Sequence, residues 1–427
     1  MEGLEVHLES FKKQTKGQKI VCGFNGSLDS VVAAYLLKRQ GFQVIGLGIT
    51  FSSKAAETLR KRYDENGEEI TPAPFEGIYN LEGFDPVKEL ADSLGITFYA
   101  VDASIEYKDR VTDYVVAARA GGRSFSPKVN ATSLIFEVLA KKASVLGAQY
   151  IATGHYSKIV KNQASQTSHI FVSHDLDHDQ SYLLSGLKEE ILSMVRLPLS
   201  DMRKAEVQKI GKGLKLSFLE ESNIKPLMER RSLGHFVADR MPTKMFKTGH
   251  IIDYRNDAFL GEHSGIHEFS LGSKSIKNNS GSLIDKNYMV IGFKYTAGTV
   301  YVGMEEDLEY DLLLLTEVYY PIGTDTSRPL EVYVKTREKS EIQPAYLYFL
   351  NNGHAKIEFK ERFVGLIPQG EYVAFYNRPG TTGRIIGCGT VRTCGHIDNG
   401  KFKSFPKKKD EIEDEESEVI DIYKFKF

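Results

Sequence analysis

The first half of the chain alternates short apolar stretches with segments of helical periodicity. Over Gln18–Leu216 this alternation predicts a parallel sheet covered by helices, because neighbouring parallel strands need a crossover connection. The predicted strands are Ile20–Phe24, Val44–Thr50, Ile96–Val101 and Tyr150–Ala152, and the clearest helices are Asp29–Arg39 and Asn130–Leu146. We therefore expect an α/β domain of βαβ units. A charged segment with Gly, Pro and Asn, residues 52–84, interrupts this pattern and is interpreted as an insertion.

Beyond about Glu220 the pattern changes to short strands separated by Gly, Asn and Asp, which indicates another domain, or two. The predicted strands are Leu330–Thr336, Ala345–Phe349, Ala355–Phe359, Tyr372–Tyr376 and Arg384–Thr390. Their lengths and turn signals are typical of an antiparallel barrel or sandwich. Asn351-Asn352-Gly353 predicts a hairpin turn between two of them.

Composition excludes several classes of protein. An apolar fraction of 41% is enough for buried cores, and no stretch approaches the roughly 20 apolar residues of a membrane helix. The charged N-terminus lacks the apolar segment of a secretory signal, so a cytoplasmic protein without membrane partners is expected. The net charge is −2, and residues 407–427 read as a charged, solvated tail, so any RNA binding must come from local basic patches.

The strongest local motif, Gly23–Ser30, lies between the first predicted strand and its helix and reads GFNGSLDS. Small residues let backbone amides approach a phosphate, and a helix N-terminus favours an anion. Ser30 can add a hydroxyl, while Asp29 either binds a magnesium ion or caps the helix. A capped, tight strand-to-helix turn without a ligand is the alternative interpretation.

This loop resembles the pyrophosphatase loop, SGGxDS, of enzymes that use ATP to adenylate a carbonyl oxygen. The whole chain resembles the bacterial tRNA 2-thiouridylase family of the MnmA type. Five further segments match in the order of that family: Ile151–Tyr156 (IATGHY), His178–Leu184 (HDQSYLL), Gly261–Gly265 (GEHSG), Val334–Arg337 (VKTR) and Tyr372–Tyr376 (YVAFY).

The resemblance implies an ATP-pyrophosphatase α/β domain, a small central β-rich domain and a C-terminal antiparallel β-barrel. We expect them at residues 1–220, 221–315 and 316–406, before the tail. It also implies that ATP activates a uridine carbonyl as an adenylate and that a cysteine persulfide then delivers sulfur. The implied cofactors are ATP and Mg, and the implied partners are tRNA or another structured RNA and an external sulfur carrier.

The same resemblance assigns residues by position. The nucleotide would contact Gly23, Asn25, Gly26, Ser27, Asp29, Ser30, Ile49 and Gly154. The RNA would contact Ser126, Lys128, His178, Asp179, Gln180 and Arg337. From the residues alone, Asp179 and Gln180 can equally cap the following helix, and His155 can equally lie in the loop core. Lys335, Arg337 and Lys339 are expected to share one face of a strand.

The sulfur chemistry is where this sequence departs from the family pattern. The family aspartate falls on Lys128, the first cysteine falls on Val129, Asn130 or Ala131, and the second falls on Pro226. No cysteine lies between Cys22 and Cys388, so no shift of register restores the pair. Cys22 is expected in the core, whereas Cys388 and Cys394 are expected in the barrel and are not expected to act as a relocated thiol pair.

The phosphate loop also departs from its pattern, because Asn25 replaces a serine and Ser27 replaces a glycine. A position that needs positive φ would disfavour Ser27. We therefore expect an ATP-dependent tRNA-modifying protein that adenylates an RNA base carbonyl and takes its nucleophile from outside, with Lys128 and Lys225 beside the lost positions. The alternative is a non-catalytic paralogue that acts as an RNA-binding or regulatory module.

Overall fold

The fold is described from a computed structural model of the chain. It describes residues 15–51, 84–120, 127–162, 164–217, 233–238, 240, 246–321, 324–367, 369–398 and 401–404. The predictions for residues 52–83, for Ser126, Lys225 and Pro226, and for the charged tail lie outside these residues. Among the described helices, none has both the length and the apolar character to cross a membrane.

The chain divides into two compact units. The first comprises Met1–Thr112, Lys128–Arg230 and Gly380–Arg384, and the second comprises Asp113–Pro127, Arg231–Pro379 and Ile385–Phe427. The finer division into four segments at residues 220, 315 and 406 stays a prediction.

The first unit is built on a five-stranded parallel sheet, which confirms the predicted fold class. Its strands are β1 (Lys19–Gly23), β2 (Gln43–Thr50), β3 (Thr97–Asp102), β4 (Tyr150–Ala152) and β7 (Val195–Arg196), in the order β3-β2-β1-β4-β7. Every pair in this sheet is parallel. A separate antiparallel ribbon pairs β5 (Lys158–Lys161) with β6 (Ser168–Phe171). The helices are α1 (Leu28–Arg39), α2 (Asp85–Ser93), α3 (Ser104–Tyr107), α5 (Pro127–Leu146), α6 (Ser181–Leu184), α7 (Glu189–Leu192) and α8 (Lys204–Leu214).

Helix α1 forms directly after β1 because Ser27 caps it and apolar residues line its buried face. Ser27 has an extended backbone, and its side chain accepts a hydrogen bond from the Ser30 N–H. Val31, Ala34 and Leu37 are buried against the sheet in one apolar cluster with Ile20 and Cys22. This packing fixes the N-terminus of α1 at the carboxyl end of β1.

The second unit carries two further β structures and the helices α4 (Asp113–Ala120) and α9 (Leu233–Ala238). A four-stranded sheet contains β8 (Gly249–Asp253), β9 (Phe259–His263), β10 (Met289–Lys294) and β11 (Thr299–Gly303), in the order β10-β11-β8-β9. A barrel contains β12 (Glu309–Tyr319), β13 (Leu330–Lys335), β14 (Gln343–Phe349), β15 (Ala355–Val364), β16 (Tyr372–Tyr376) and β17 (Ile385–Asp398). These six strands close because β12 pairs with both β15 and β17, and β18 (Lys401–Ser404) extends the sheet beside β17. The predicted C-terminal antiparallel barrel is confirmed.

One predicted strand face is wrong. Strand β13 ends at Lys335, whose side chain is buried, so Arg337 and Lys339 lie in the turn that follows. The Ser340 hydroxyl ends the strand because it accepts hydrogen bonds from the Thr336 and Arg337 N–H groups, at 3.2 and 3.1 Å. The three basic residues therefore do not form one strand face.

Candidate functional site

The candidate nucleotide loop lies at the carboxyl edge of the parallel sheet. Gly23 ends β1, and the Phe24 N–H still donates to the Leu47 carbonyl at 2.9 Å before the chain turns into α1. Ile49 is half-buried near the end of β2, and Gly154 follows the end of β4, so both lie at the same edge as the loop. Ligands of open α/β sheets bind at this edge.

The loop contains one left-handed residue, and it is a glycine. Gly26 has φ +81°, whereas Ser27 has φ −67° and ψ 156°. The expectation that serine at position 27 would be disfavoured by a positive φ is therefore wrong. Ser27 is accommodated as the helix cap, and Gly26 provides the sharp turn.

The hydrogen-bond donors of Ser27 are occupied by the side chain of Asn25, which faces solvent. The Asn25 side-chain oxygen accepts hydrogen bonds from the Ser27 N–H at 3.1 Å and from the Ser27 hydroxyl at 2.8 Å. Asn25 is exposed, so its side chain can rotate away and leave both donors to another acceptor. These donors, together with the positive end of the α1 dipole, fit a phosphate group.

The Asp29 carboxylate is already paired. Lys204 Nζ lies 2.8 and 2.6 Å from its two oxygens, and the Tyr156 hydroxyl donates to Oδ1 at 2.8 Å. Burial and the neighbouring carboxylate raise the pKa of Tyr156, so it stays a donor. The Lys204 ammonium group occupies the position beside Asp29 that a metal ion would take. The present geometry of Asp29 therefore does not fit the predicted magnesium ion. Ser27, rather than Asp29, is the helix cap.

Gly154 brings the end of β4 against the start of α1. A Cβ atom at this position would lie 2.7 Å from the Asp29 carbonyl carbon and 2.8 Å from its oxygen, so only glycine allows this approach. The neighbouring His155 ring contacts the Thr153 hydroxyl at 2.7 Å and packs 5.5 Å from the Phe136 ring. These contacts agree with the interpretation of His155 as part of the loop core.

The segment 175–180 adjoins the same cluster. Asp179 accepts hydrogen bonds from the N–H groups of Ser173 and Ser181, at 2.9 and 3.2 Å, and so links two segments of the loop, whereas the N-cap residue of α6 is Gln180, without a side-chain cap. The Gln180 side-chain oxygen accepts from the Tyr156 N–H at 2.9 Å. His178 is 48% exposed in its side chain and pairs with Asp175 at 3.1 Å. Of the three residues predicted here to contact RNA, His178 is exposed, whereas Asp179 and Gln180 are half-buried.

The remaining predicted RNA contacts lie apart along the chain. Lys128 is exposed in the first turn of α5, where Val129 is fully buried and Asn130 and Ala131 are half-buried. Arg337 belongs to the second unit and donates to the Leu366 carbonyl at 2.6 Å.

All three cysteines are buried, and none of them forms a disulfide. Burial raises the pKa of Cys22 and of Cys394 to about 12, which suppresses the thiolate that sulfur transfer needs. Cys388 and Cys394 lie six positions apart on β17, so their Cα atoms are separated by about 20 Å of extended strand. They cannot form a disulfide across that distance.

Lys204, Tyr156 and Asp175 belong to this cluster but were not predicted as site residues. One signal was available for Lys204, because a basic residue in the first turn of a helix is disfavoured by the helix dipole unless an acid compensates it. Here Asp29 binds its ammonium group, and Asp175 accepts from its backbone N–H at 2.8 Å. Burial alone would raise the pKa of Asp175. The hydrogen bond from the Lys204 N–H and the interaction with His178 outweigh burial and hold that pKa below its ordinary value.

Comparison with known proteins gives matches over both units. A family profile described as "tRNA methyl transferase HUP domain" matches residues 18–225. The tRNA-specific 2-thiouridylase MnmA of Enterococcus faecalis is 30% identical over 367 residues, which cover 84% of this chain and 92% of that protein. The MnmA of Clostridium acetobutylicum is 29% identical over 364 residues, covering 84% and 96%.

Among solved structures, a "predicted subunit of tRNA methyltransferase" from Methanocaldococcus jannaschii matches 46% of this chain and 76% of its own, at 13% identity. Its TM-score of 0.28 is too low to support an assignment of fold or function. The sequence relatives decide the assignment, because 30% identity extends over 92% of a curated protein. This chain belongs to the tRNA-specific 2-thiouridylase (MnmA) family.

Proposed function

We propose that this chain is an ATP-dependent tRNA-modifying protein that adenylates a carbonyl oxygen of an RNA base. The observation that carries the proposal is the loop at Gly23–Ser30, where Gly26 turns the chain and Ser27 presents a backbone N–H and a hydroxyl at the N-terminus of α1. The relatives that match over 92% and 96% of their own length are named as tRNA-specific 2-thiouridylases, which supports tRNA as the substrate.

Within this proposal, the Ser27 donors hold the phosphates of ATP while Ile49 and Gly154 border the nucleotide at the same sheet edge. The bound ATP supplies an adenylyl group, which the RNA carbonyl oxygen accepts as pyrophosphate leaves. The basic side chains Lys128, His178 and Arg337 bind the RNA through its phosphates. Asp29 is not proposed as a magnesium ligand, because its carboxylate is paired with Lys204.

Sulfur transfer by this chain's own cysteines is not part of the proposal. The three thiols are buried, and two of them have raised pKa values. We propose instead that external sulfide, free or released by a sulfur carrier, attacks the activated carbon, so that a C–S bond forms as the C–O bond to AMP breaks. Lys128 is exposed next to the family's first cysteine position and is suited to attract such an anion.

The same burial of the cysteines favours a second candidate function. In that case the chain is a non-catalytic paralogue that binds RNA and does not turn over ATP. The closed pair of Asp29 and Lys204 and the Asn25 side chain on the loop donors are consistent with a resting site of this kind.

Formation of AMP from labelled ATP separates the two functions. The purified chain is incubated with total tRNA and sulfide, and Ser27→Asp is compared with Ser27→Asn. Both replacements cap a helix as serine does, but only aspartate places a negative charge among the phosphate donors. We expect tRNA-dependent AMP from the wild type and from Ser27→Asn, and at least about tenfold less from Ser27→Asp. Tight tRNA binding without any AMP would instead favour the non-catalytic paralogue.

A further inference from the structure

The phosphate loop itself lacks a positive side chain. Residues Gly23–Ser30 read GFNGSLDS, so Asp29 contributes the one formal charge, and it is negative. A polyphosphate brings several negative charges to this loop, and backbone amides alone do not neutralise them. A cation delivered by another element of the first unit would offset part of this charge.

Lys204 lies where it can provide that cation. It is the first residue of α8, and its Nζ atom lies 2.6 Å from one oxygen of Asp29 and 2.8 Å from the other. Its backbone N–H is anchored on Asp175 at 2.8 Å, and its ammonium group lies 5.5 Å from the centre of the Tyr156 ring. The side chain is 23% exposed, so it reaches the loop from a fixed base and retains access to solvent.

We propose that Lys204 is a binding residue for the polyphosphate of the nucleotide, and that its ion pair with Asp29 is the resting state that the polyphosphate displaces. This inference rests on the proposed function and adds a residue to it. A more highly charged anion competes with one carboxylate for the same ammonium group, because each phosphate oxygen offers a charge-assisted hydrogen bond. Before a nucleotide binds, Asp29 and Tyr156 hold the Lys204 side chain near the loop.

Equilibrium binding to the full chain tests this assignment, with inorganic pyrophosphate, ATP and adenosine as probes. We expect Lys204→Gln to weaken pyrophosphate and ATP binding at least about tenfold and to leave adenosine binding unchanged. Lys204→Arg should restore most of the affinity, because the charge is kept. The matched control is Lys158→Gln, which removes another lysine of the same unit that is paired with an aspartate, Asp201, at 2.9 Å. It should bind all three probes as the wild type does.

A double variant separates phosphate binding from a purely structural role. If Lys204 only neutralises Asp29, then Asp29→Asn combined with Lys204→Gln removes both charges and restores pyrophosphate binding. If Lys204 contacts the phosphates, the double variant stays weak, whereas Asp29→Asn alone binds pyrophosphate more tightly than the wild type. Thermal unfolding of each variant verifies that it is folded.

Two results would overturn the inference. One is wild-type affinity for pyrophosphate in Lys204→Gln or in the double variant, and the other is a wild type that binds no polyphosphate. The proposed function fails separately, when the wild type binds pyrophosphate through Lys204 and yet forms no AMP with tRNA.

Discussion

At the residue scale, the loop depends on a backbone conformation that glycine adopts without strain. Gly26 has φ +81° at the carboxyl end of β1, and Gly17 has φ +82° just before its amino end. Alanine at either position costs about 1 kcal/mol of folding free energy, because the left-handed region disfavours a Cβ atom. We therefore expect Gly26→Ala and Gly17→Ala to lower the melting temperature to a similar extent.

Only one of these two variants should affect the nucleotide. Gly26→Ala displaces the Ser27 donors and should weaken ATP binding, measured by titration calorimetry, whereas Gly17→Ala should keep the wild-type affinity. Equal affinities in the two variants would show that ATP does not bind at this loop.

The buried thiols give a second prediction at the residue scale. Because burial raises the pKa of Cys22 and Cys394 to about 12, a thiol reagent at pH 8 should react slowly with the native chain and rapidly with all three cysteines in denaturant. The measurement is the time course of thiol modification. Fast native modification of Cys388 and Cys394 would reopen the hypothesis of a relocated thiol pair.

The position of the loop was predictable from the sequence, whereas the lysine that pairs with its aspartate was not. Gly26 and Ser27 stand in a recognisable strand-to-helix motif, but the cap was expected at Asp29 and is formed by Ser27. Lys204 could not be placed beside Asp29, because 175 positions of chain separate them and only the folded sheet brings α8 to α1. Long-range ion pairs of this kind have no local signal apart from the unfavourable place of the lysine in its helix.

At the scale of elements, the turn between β14 and β15 tests the barrel. Asn352 has φ +60° and ψ 32°, a left-handed conformation that asparagine and glycine tolerate and alanine does not. We expect Asn352→Gly to leave the melting temperature nearly unchanged and Asn352→Ala to lose about 1 kcal/mol of stability. Equal stability of the two variants would contradict the turn geometry.

The predicted strands and the observed strands differ for identifiable reasons. Tyr150–Ala152 and Tyr372–Tyr376 were predicted with their observed bounds, because turn residues flank short apolar runs. Strand β12 was not predicted, since its core Leu312–Leu315 is apolar on both faces and lacks the alternation that distinguishes a strand from a helix. Strand β7 has two residues, too few for any periodicity.

At the scale of the whole molecule, two buried histidines make the second unit sensitive to acid. Burial lowers the pKa of His263, and burial together with His263 and Arg119 lowers the pKa of His267. Both rings are 2% exposed. A lowered folded-state pKa means that the unfolded chain binds protons first, so stability is lost as the pH falls below about 6.5.

We expect the free energy of unfolding to fall by up to about 1.4 kcal/mol per pH unit for each of these histidines below that pH. Denaturant unfolding between pH 7.5 and 5.5 measures this slope. His263→Gln should reduce the slope even if it lowers the stability. A slope that does not change in His263→Gln would contradict the assignment.

The overall architecture was predictable because the family resemblance spans both units, from the loop at Gly23–Ser30 to the barrel strand at Tyr372–Tyr376. The chemistry was less predictable, because it depends on which side chains lie together at one sheet edge. From the family relation we expect adenylation. Because the cysteines are buried, we expect an external nucleophile to react with the activated base.

Transfer of label from the α-phosphate of ATP to tRNA tests this account most directly. Because the chain lacks an accessible thiol, we predict that the α-label becomes attached to tRNA as pyrophosphate leaves, and that sulfide then releases it as AMP. Ser27→Asp should transfer little label, whereas Ser27→Asn, which keeps the backbone N–H and adds no charge, should transfer clearly more. Absence of α-label on tRNA, together with no AMP on addition of sulfide, would contradict the adenylation on which the account depends.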